Sequence, residues 1–216
     1  MSENSHLQKA VVAELNWEPS LRATHVVVSA QGGIVTLTGY VESLAEKHAA
    51  EAAACRVKGV KAVVEEVEVR LPSDTWRTDE ELAATAVDRL SADVSIPPDA
   101  VKIKVERGWL TLTGAVEWQF QRDAAEHALR RLPGAVGISN RIEIEPHVDV
   151  ANVSDEIMHA LNRSWFFDPQ TIAVSADGGR VTLTGTVPSP HDRQIAASTA
   201  WAAPGVTDVV NDIQIA

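Results

Sequence analysis

One cysteine, one tyrosine, two methionines and three phenylalanines are all that 216 residues supply of those types. A lone Cys55 excludes an intrachain disulfide and a thiolate-rich metal cage. No apolar run approaches the ~20 residues that span a bilayer. The opening MSENSHLQKAVVAELNW carries acidic residues early and no continuous apolar core, unlike a secretory signal. Read as the start of the protein, it leads us to expect a cytoplasmic location, or a periplasmic one if a leader has been removed. Positive charge is scarce too, with 19 Lys and Arg against 30 Asp and Glu and a formal net charge of −11. Nucleic acid is therefore not an expected partner, because its binding draws on Lys and Arg that displace counterions. Adhesion to an anionic membrane by charge alone is disfavoured for the same reason. Neither G-x-S-x-G nor G-x-x-x-x-G-K occurs. Seven histidines are present, but no two stand at i, i+3 or i, i+4 spacing. No catalytic residue, metal or cofactor is expected.

What the chain does have is a phrase said three times. Gly33 to Val41 reads GIVTLTGYV, Gly108 to Val116 reads GWLTLTGAV, and Gly179 to Val187 reads GRVTLTGTV. Self-similarity of this kind marks a repeated structural unit. Aligned on Gly39, Gly114 and Gly185, the copies keep further landmarks in register: Leu15, Leu90 and Leu161 before the phrase, then Gly59, Gly134 and Gly205 after it. The units run over 7–70, 79–145 and 152–216. Pro and charge in LPSDTWRTDE and EPHVDV suit linkers between them.

Hydrophobic period then assigns the elements. Leu82, Ala86 and Leu90, like Ile157 and Leu161, have helical spacing. Ser154 before Asp155 and Glu156 suits a helix start, with acid at the positive end of the dipole. Val26, Val28, Ala30 and then Val35, Leu37 alternate as half-buried strands do. Gly32-Gly33, Arg107-Gly108 and Gly178-Gly179 between the alternating runs predict hairpins. An Ala-rich helical stretch follows, then a last alternating run. The order is α-β-β-α-β, which predicts an α+β fold of three tandem units. Each is expected to be a mixed three-stranded sheet with two helices on one face, since a strand regained through a helix is parallel. In the phrase itself, Val35 and Leu37 point inward and Thr36 and Thr38 outward. Gly39 is expected to mark the strand's end, where the chain bends toward the helix. Units of this size have marginal cores, so packing among them is expected.

This layout resembles the BON domain, the bacterial module of osmotically induced and nodulation proteins. The residues that carry the resemblance are Thr-Leu-Thr-Gly-x-Val, the Ala-rich helix, the Gly-Val or Pro-Gly pair, and a closing strand. That strand reads VVNDIQI over Val209 to Ile215 and ISNRIEI over Ile138 to Ile144. The first unit departs from it, with Glu65 where the others have Asn140 and Asn211. The resemblance implies a non-enzymatic protein of osmotic or envelope stress that contacts phospholipid or protein surfaces.

Candidate contact residues are aromatic. Trp165 and Phe166 precede the first strand of the third unit, and Phe166 stands where the others have Ser20 and Ser95. Trp109 occupies the hairpin turn of the second unit, where the others have Ile34 and Arg180, and Trp118 and Phe120 flank its second helix. Such side chains suit a membrane interface or a protein anchor. Ser189-Pro190-His191-Asp192 assembles triad residue types, yet as neighbours they read as a polar helix start. Cys55 stands where the other copies have Arg130 and Trp201, which argues against a catalytic thiol. Two alternatives remain open at this point: a ligand-sensing pocket between units, and self-assembly through sheet faces.

Overall fold

The computed structural model describes residues 3–145, 153–163 and 171–215. The first repeat consists of α1 (Glu3–Trp17), β1 (Val26–Gln31), β2 (Ile34–Val41), α2 (Leu44–Arg56) and β3 (Ala62–Val69). The second consists of α3 (Asp79–Ala92), β4 (Val101–Glu106), β5 (Trp109–Val116), α4 (Gln119–Arg130) and β6 (Gly137–Ile144). The third consists of α5 (Val153–Arg163), β7 (Ile172–Asp177), β8 (Arg180–Val187), α6 (Pro190–Trp201) and β9 (Asp208–Ile215). Residues 1–114 and 121–143 form one compact unit, and 115–120 with 144–216 form a second. The first repeat lies wholly in the former and the third wholly in the latter.

Each sheet has its sequence order, with the phrase strand in the middle. In the first, β1 pairs antiparallel with β2, Val28 opposite Leu37, and β3 lies parallel to β2, Leu37 opposite Glu65. The third repeats both registers, with Val174 opposite Leu183 and Leu183 opposite Asn211. Period two then decides the layers. Val28, Val35, Leu37 and Val67 face Val11 and Leu15 of α1 and Ala50, Ala53 and Ala54 of α2, all buried in one cluster. Alanine suits α2 because a small side chain lets the helix axis approach the sheet. The third core is built alike, from Ile157 and Leu161, Val181 and Leu183, and Ala196 and Ala200. Among the described residues no polar or charged residue is fully buried.

Backbone and caps follow local chemistry. The hairpin turns are built on positive φ, at Gly32 and Gly33, Arg107 and Gly108, and Gly178 and Gly179. The turn is fastened to the start of the repeat: Arg107 and Gly108 donate their N–H groups to the Asp79 carboxylate at 2.7 and 2.8 Å. Asn4, at the same register position, accepts from the Gly32 N–H at 3.0 Å. Thr78 and Glu81 form a reciprocal capping box on α3. Helix α5 begins at Val153, one residue before the expected Ser154, with Asp155 and Glu156 in its first turn.

The role expected for Gly39 needs correction. The strand does not end there: β2 runs on to Val41. Gly39 lies opposite Val26 with φ +114°, and a Cβ on it would collide with the His25 carbonyl. Gly114 meets the Ala100 carbonyl and Gly185 the Thr171 carbonyl in the same way. The glycine admits the incoming backbone of the first strand; it does not bend the chain away. Gly59, Gly134 and Gly205 also have positive φ, just after the second helix of each repeat.

Candidate interaction surface

The polar groups whose types suggest chemistry are absorbed by the scaffold. Ser189 is the N-cap of α6, accepting from the Asp192 N–H at 3.2 Å and donating to the Asp192 carboxylate at 2.6 Å, with Pro190 as the first helical residue. Ser189→Ala should cost about 1 kcal/mol of stability, as lost caps do; a shift in the denaturation midpoint checks this. Burial pushes the Cys55 thiol up, and the nearby Glu51 charge adds to this. Both effects work against the thiolate, which is the reactive form. No group of three His, Cys, Asp or Glu side chains able to hold a metal occurs among the described residues.

The closing strand carries an unforeseen polar seam. Asn140, on the helix-facing side of β6, donates to the Arg122 carbonyl of α4 at 3.0 Å and to Glu126 at 3.2 Å. Its own oxygen accepts from the Ile142 N–H at 3.2 Å. Asn211 repeats this, donating to the Arg193 carbonyl at 2.9 Å and accepting from the Ile213 N–H at 3.3 Å. An amide can serve both partners because it is donor and acceptor at once. Glu65 stands in this place in the first repeat and has no N–H to give. It meets the Lys47 ammonium at 3.6 Å instead, and its Oε1 is buried with no hydrogen-bond partner among the described residues. Burial and the neighbouring Glu51 charge raise its pKa, against the pull of Lys47 and His48. The sequence flagged Glu65 as the departure; only the helix carbonyl opposite shows what is lost.

The aromatic candidates lie in different settings. Trp165 and Phe166 fall outside the described residues. Trp109 opens β5 with its indole over Gly137, where any Cβ would collide with the ring, and donates Nε1–H to Ser139 at 2.9 Å. It is 46% exposed, so one edge stays in water. Trp118, just before α4, is half-buried, and Phe120 is exposed. Trp109 and Trp118 belong to different compact units, so neither unit holds both. The sequence reading passed over two exposed indoles, Trp17 at 84% and Trp76 at 65%. Trp17 closes α1 and Trp76 lies within the linker 71–80, and at neither place does periodicity predict exposure. No helix among the described residues is long and apolar enough to cross a membrane.

The shared frame, three times a helix, a glycine-turned hairpin, an Ala-rich helix and a parallel closing strand, has a counterpart among known families. A model of the BON domain matches residues 3–70, 78–146 and 149–216. The chain belongs to the BON domain family. It is similar to osmotically-inducible protein Y of Escherichia coli (strain K12), 29% identical over 150 residues covering 65% of this chain and 72% of that one. Two solved structures of CdsD, the structural protein of the Type III secretion system of Chlamydia trachomatis, align over 98% and 97% of this BON chain. They do so over 92% and 97% of their own lengths, at 17% and 16% identity and TM-scores of 0.27. The asparagine seam of Asn140 and Asn211 is thus a feature of two of the three BON units here, and Glu65 a departure in the first.

Proposed function

We propose that this chain is a non-enzymatic binding protein whose BON units contact other surfaces, a phospholipid interface first among them, in a response to osmotic stress. The observation that carries this reading is a contrast. Triad-type Ser189 and Asp192 are spent on a helix cap and burial raises the Cys55 pKa, while indoles that a monomer gains nothing from exposing stand in water at Trp17 and Trp76, and along one edge of Trp109. Tryptophan favours the boundary between an apolar layer and water. The similarity to an osmotically inducible protein supports the stress context. With a net charge of −11, the contact works through aromatic insertion and not through charge.

Flotation with liposomes tests this. The protein should float with phosphatidylcholine vesicles, and high salt should not release it. Trp17→Ala and Phe166→Ser, singly or together, should reduce the floated fraction with little change in Tm. Absence of flotation at every lipid composition would end the phospholipid reading and leave a protein surface as the target.

A further inference from the structure

Within the compact unit formed by 1–114 and 121–143, α2 of the first repeat and the end of α4 of the second enclose a cleft of about 370 Å³. Ala45 and Ala49 line it without polar atoms, and four nitrogen-bearing side chains supply the rest: His48, His127, Arg130 and Arg131. Three of the four are not shared with the other copies. In register, His48 stands where the other copies have Asp123 and Gln194, and His127 where they have Ala52 and Ser198. Arg130 replaces Cys55 and Trp201. Arg131 alone has a cationic counterpart, Arg56, so the combination of four is particular to this junction.

Their neutralisation is incomplete. Arg130 places Nε and a terminal nitrogen on one oxygen of Glu126, at 3.2 and 2.8 Å, and the other oxygen of Glu126 is held by Asn140. His48 Nδ1 lies 3.9 Å from Glu51, while its Nε2 is buried and has no hydrogen-bond partner among the described residues. Glu51 and Glu126 are thus shared by His48 and Arg130, both cations acting on each carboxylate. His127 and Arg131 have no ion pair among the described residues. The first repeat shows what Arg131 lacks: its counterpart Arg56 is held by Glu14 at 3.1 Å and Glu18 at 2.9 Å. The equivalents of those two carboxylates are Arg89, a cation, and Asp93, which accepts from the Ser95 N–H. Ser20 also lines the cleft, but its hydroxyl donates to Glu18 at 2.7 Å and offers nothing inward.

We infer that this cleft binds a phosphate group, as inorganic phosphate, a small phosphomonoester or a phosphomonoester lipid headgroup. Planar guanidinium forks match the oxygens of a phosphate, and charge-assisted bonds to it are the stronger kind. The volume lies at the lower end of ligand pockets, which suits a phosphoryl group with a short tail more than a nucleotide. An isolated cleft in so acidic a chain does not track a polyanion. The inference goes beyond the surface contact proposed above and does not rest on it, since no aromatic contact residue lines the cleft.

Calorimetric titration of the full chain with inorganic phosphate and with glycerol phosphate, beside equimolar chloride, tests it. Flotation on phosphatidylcholine vesicles with and without phosphatidate forms the second arm. The comparison variant is His127→Gln with Arg131→Gln, two exposed side chains whose loss should leave Tm unchanged. Saturable binding of either soluble probe, weakened on the order of tenfold in the double variant, supports the site. Binding seen only on phosphatidate vesicles and lost in the double variant also supports it, and assigns the headgroup as the source. No saturable binding in either arm, heat reproduced by chloride, or equal binding by the double variant would overturn it. Flotation on pure phosphatidylcholine should be indifferent to the double variant, so failure of the aromatic contact and failure of the cleft are told apart.

Discussion

Gly39→Ala, Gly114→Ala and Gly185→Ala should each unfold the repeat that carries it. The backbone at these positions has φ of +114°, +129° and +134°, a region closed to side chains, where strain costs roughly 1–3 kcal/mol. The new methyl would also run into the carbonyl of His25, Ala100 or Thr171. That atom belongs to backbone entering the first strand of the sheet and cannot swing aside as a side chain would. Overlap of this kind adds a further ~1–3 kcal/mol. Against the marginal core of a BON unit the sum is decisive. Gly32→Ala provides the contrast, because a Cβ there meets nothing within 4 Å. It should lose only the roughly 1–2 kcal/mol of a left-handed residue. Thermal unfolding with residue-resolved hydrogen exchange reads both. A Gly39→Ala protein as stable as Gly32→Ala would refute the close-approach argument.

Glu65→Asn should act in the opposite direction and stabilise the first repeat. The amide restores the donor that Asn140 and Asn211 give to a helix carbonyl and removes a buried oxygen without a partner. Satisfying such a group contributes about 1–3 kcal/mol, from which losing the long, partly buried Lys47 contact subtracts about 1 kcal/mol. The pH dependence follows from the raised pKa. Folded Glu65 holds its proton more tightly than in the unfolded chain, so its protonation favours the fold. That contribution is fully present below the ordinary value of 4.5 and is lost as pH rises through the higher folded value. The advantage of Glu65→Asn should therefore be greatest at neutral pH and shrink as pH falls toward 4.5. Glu51 and Glu126 are held low, Glu51 by His48 and Glu126 by Arg130 and Asn140 against its burial. They lose stability below that value and set the acid limit in both proteins. Denaturation midpoints at a series of pH values decide it, and equal midpoints at neutral pH would dispose of the seam as an energetic feature.

Much of the fold was legible because its periods are strong. Alternation in Val35 and Leu37, helical spacing in Leu82, Ala86 and Leu90, and paired turn residues at 32–33 each have one physical meaning, and the frame appears three times. The register also singled out Glu65 before its partner was known. Legibility failed where the cause lies across space. Nothing local told that Gly39 faces the His25 carbonyl, since 14 residues and a hairpin separate them. The convergence of His48 with Arg130 joins two repeats and has no sequence period. Exposure of Trp17 is equally silent, because a helix end carries too few residues to show which face it presents.

The way α2 carries the chain from β2 to β3 also bears on synthesis. The hairpin of β1 and β2 needs only a two-residue turn and can close as soon as it leaves the ribosome. The parallel partner arrives about 28 residues later, from Val41 to Val69, which at ~5–20 residues per second means a delay of roughly 1.5–6 seconds. During that interval the bonding edge of β2 waits unpaired, and Val35 and Leu37 lack the α2 half of their cover. Yet every strand pairing of a unit lies within that unit, so the first can be complete before the second has emerged. A nascent chain of this kind folds by instalments, one sheet at a time.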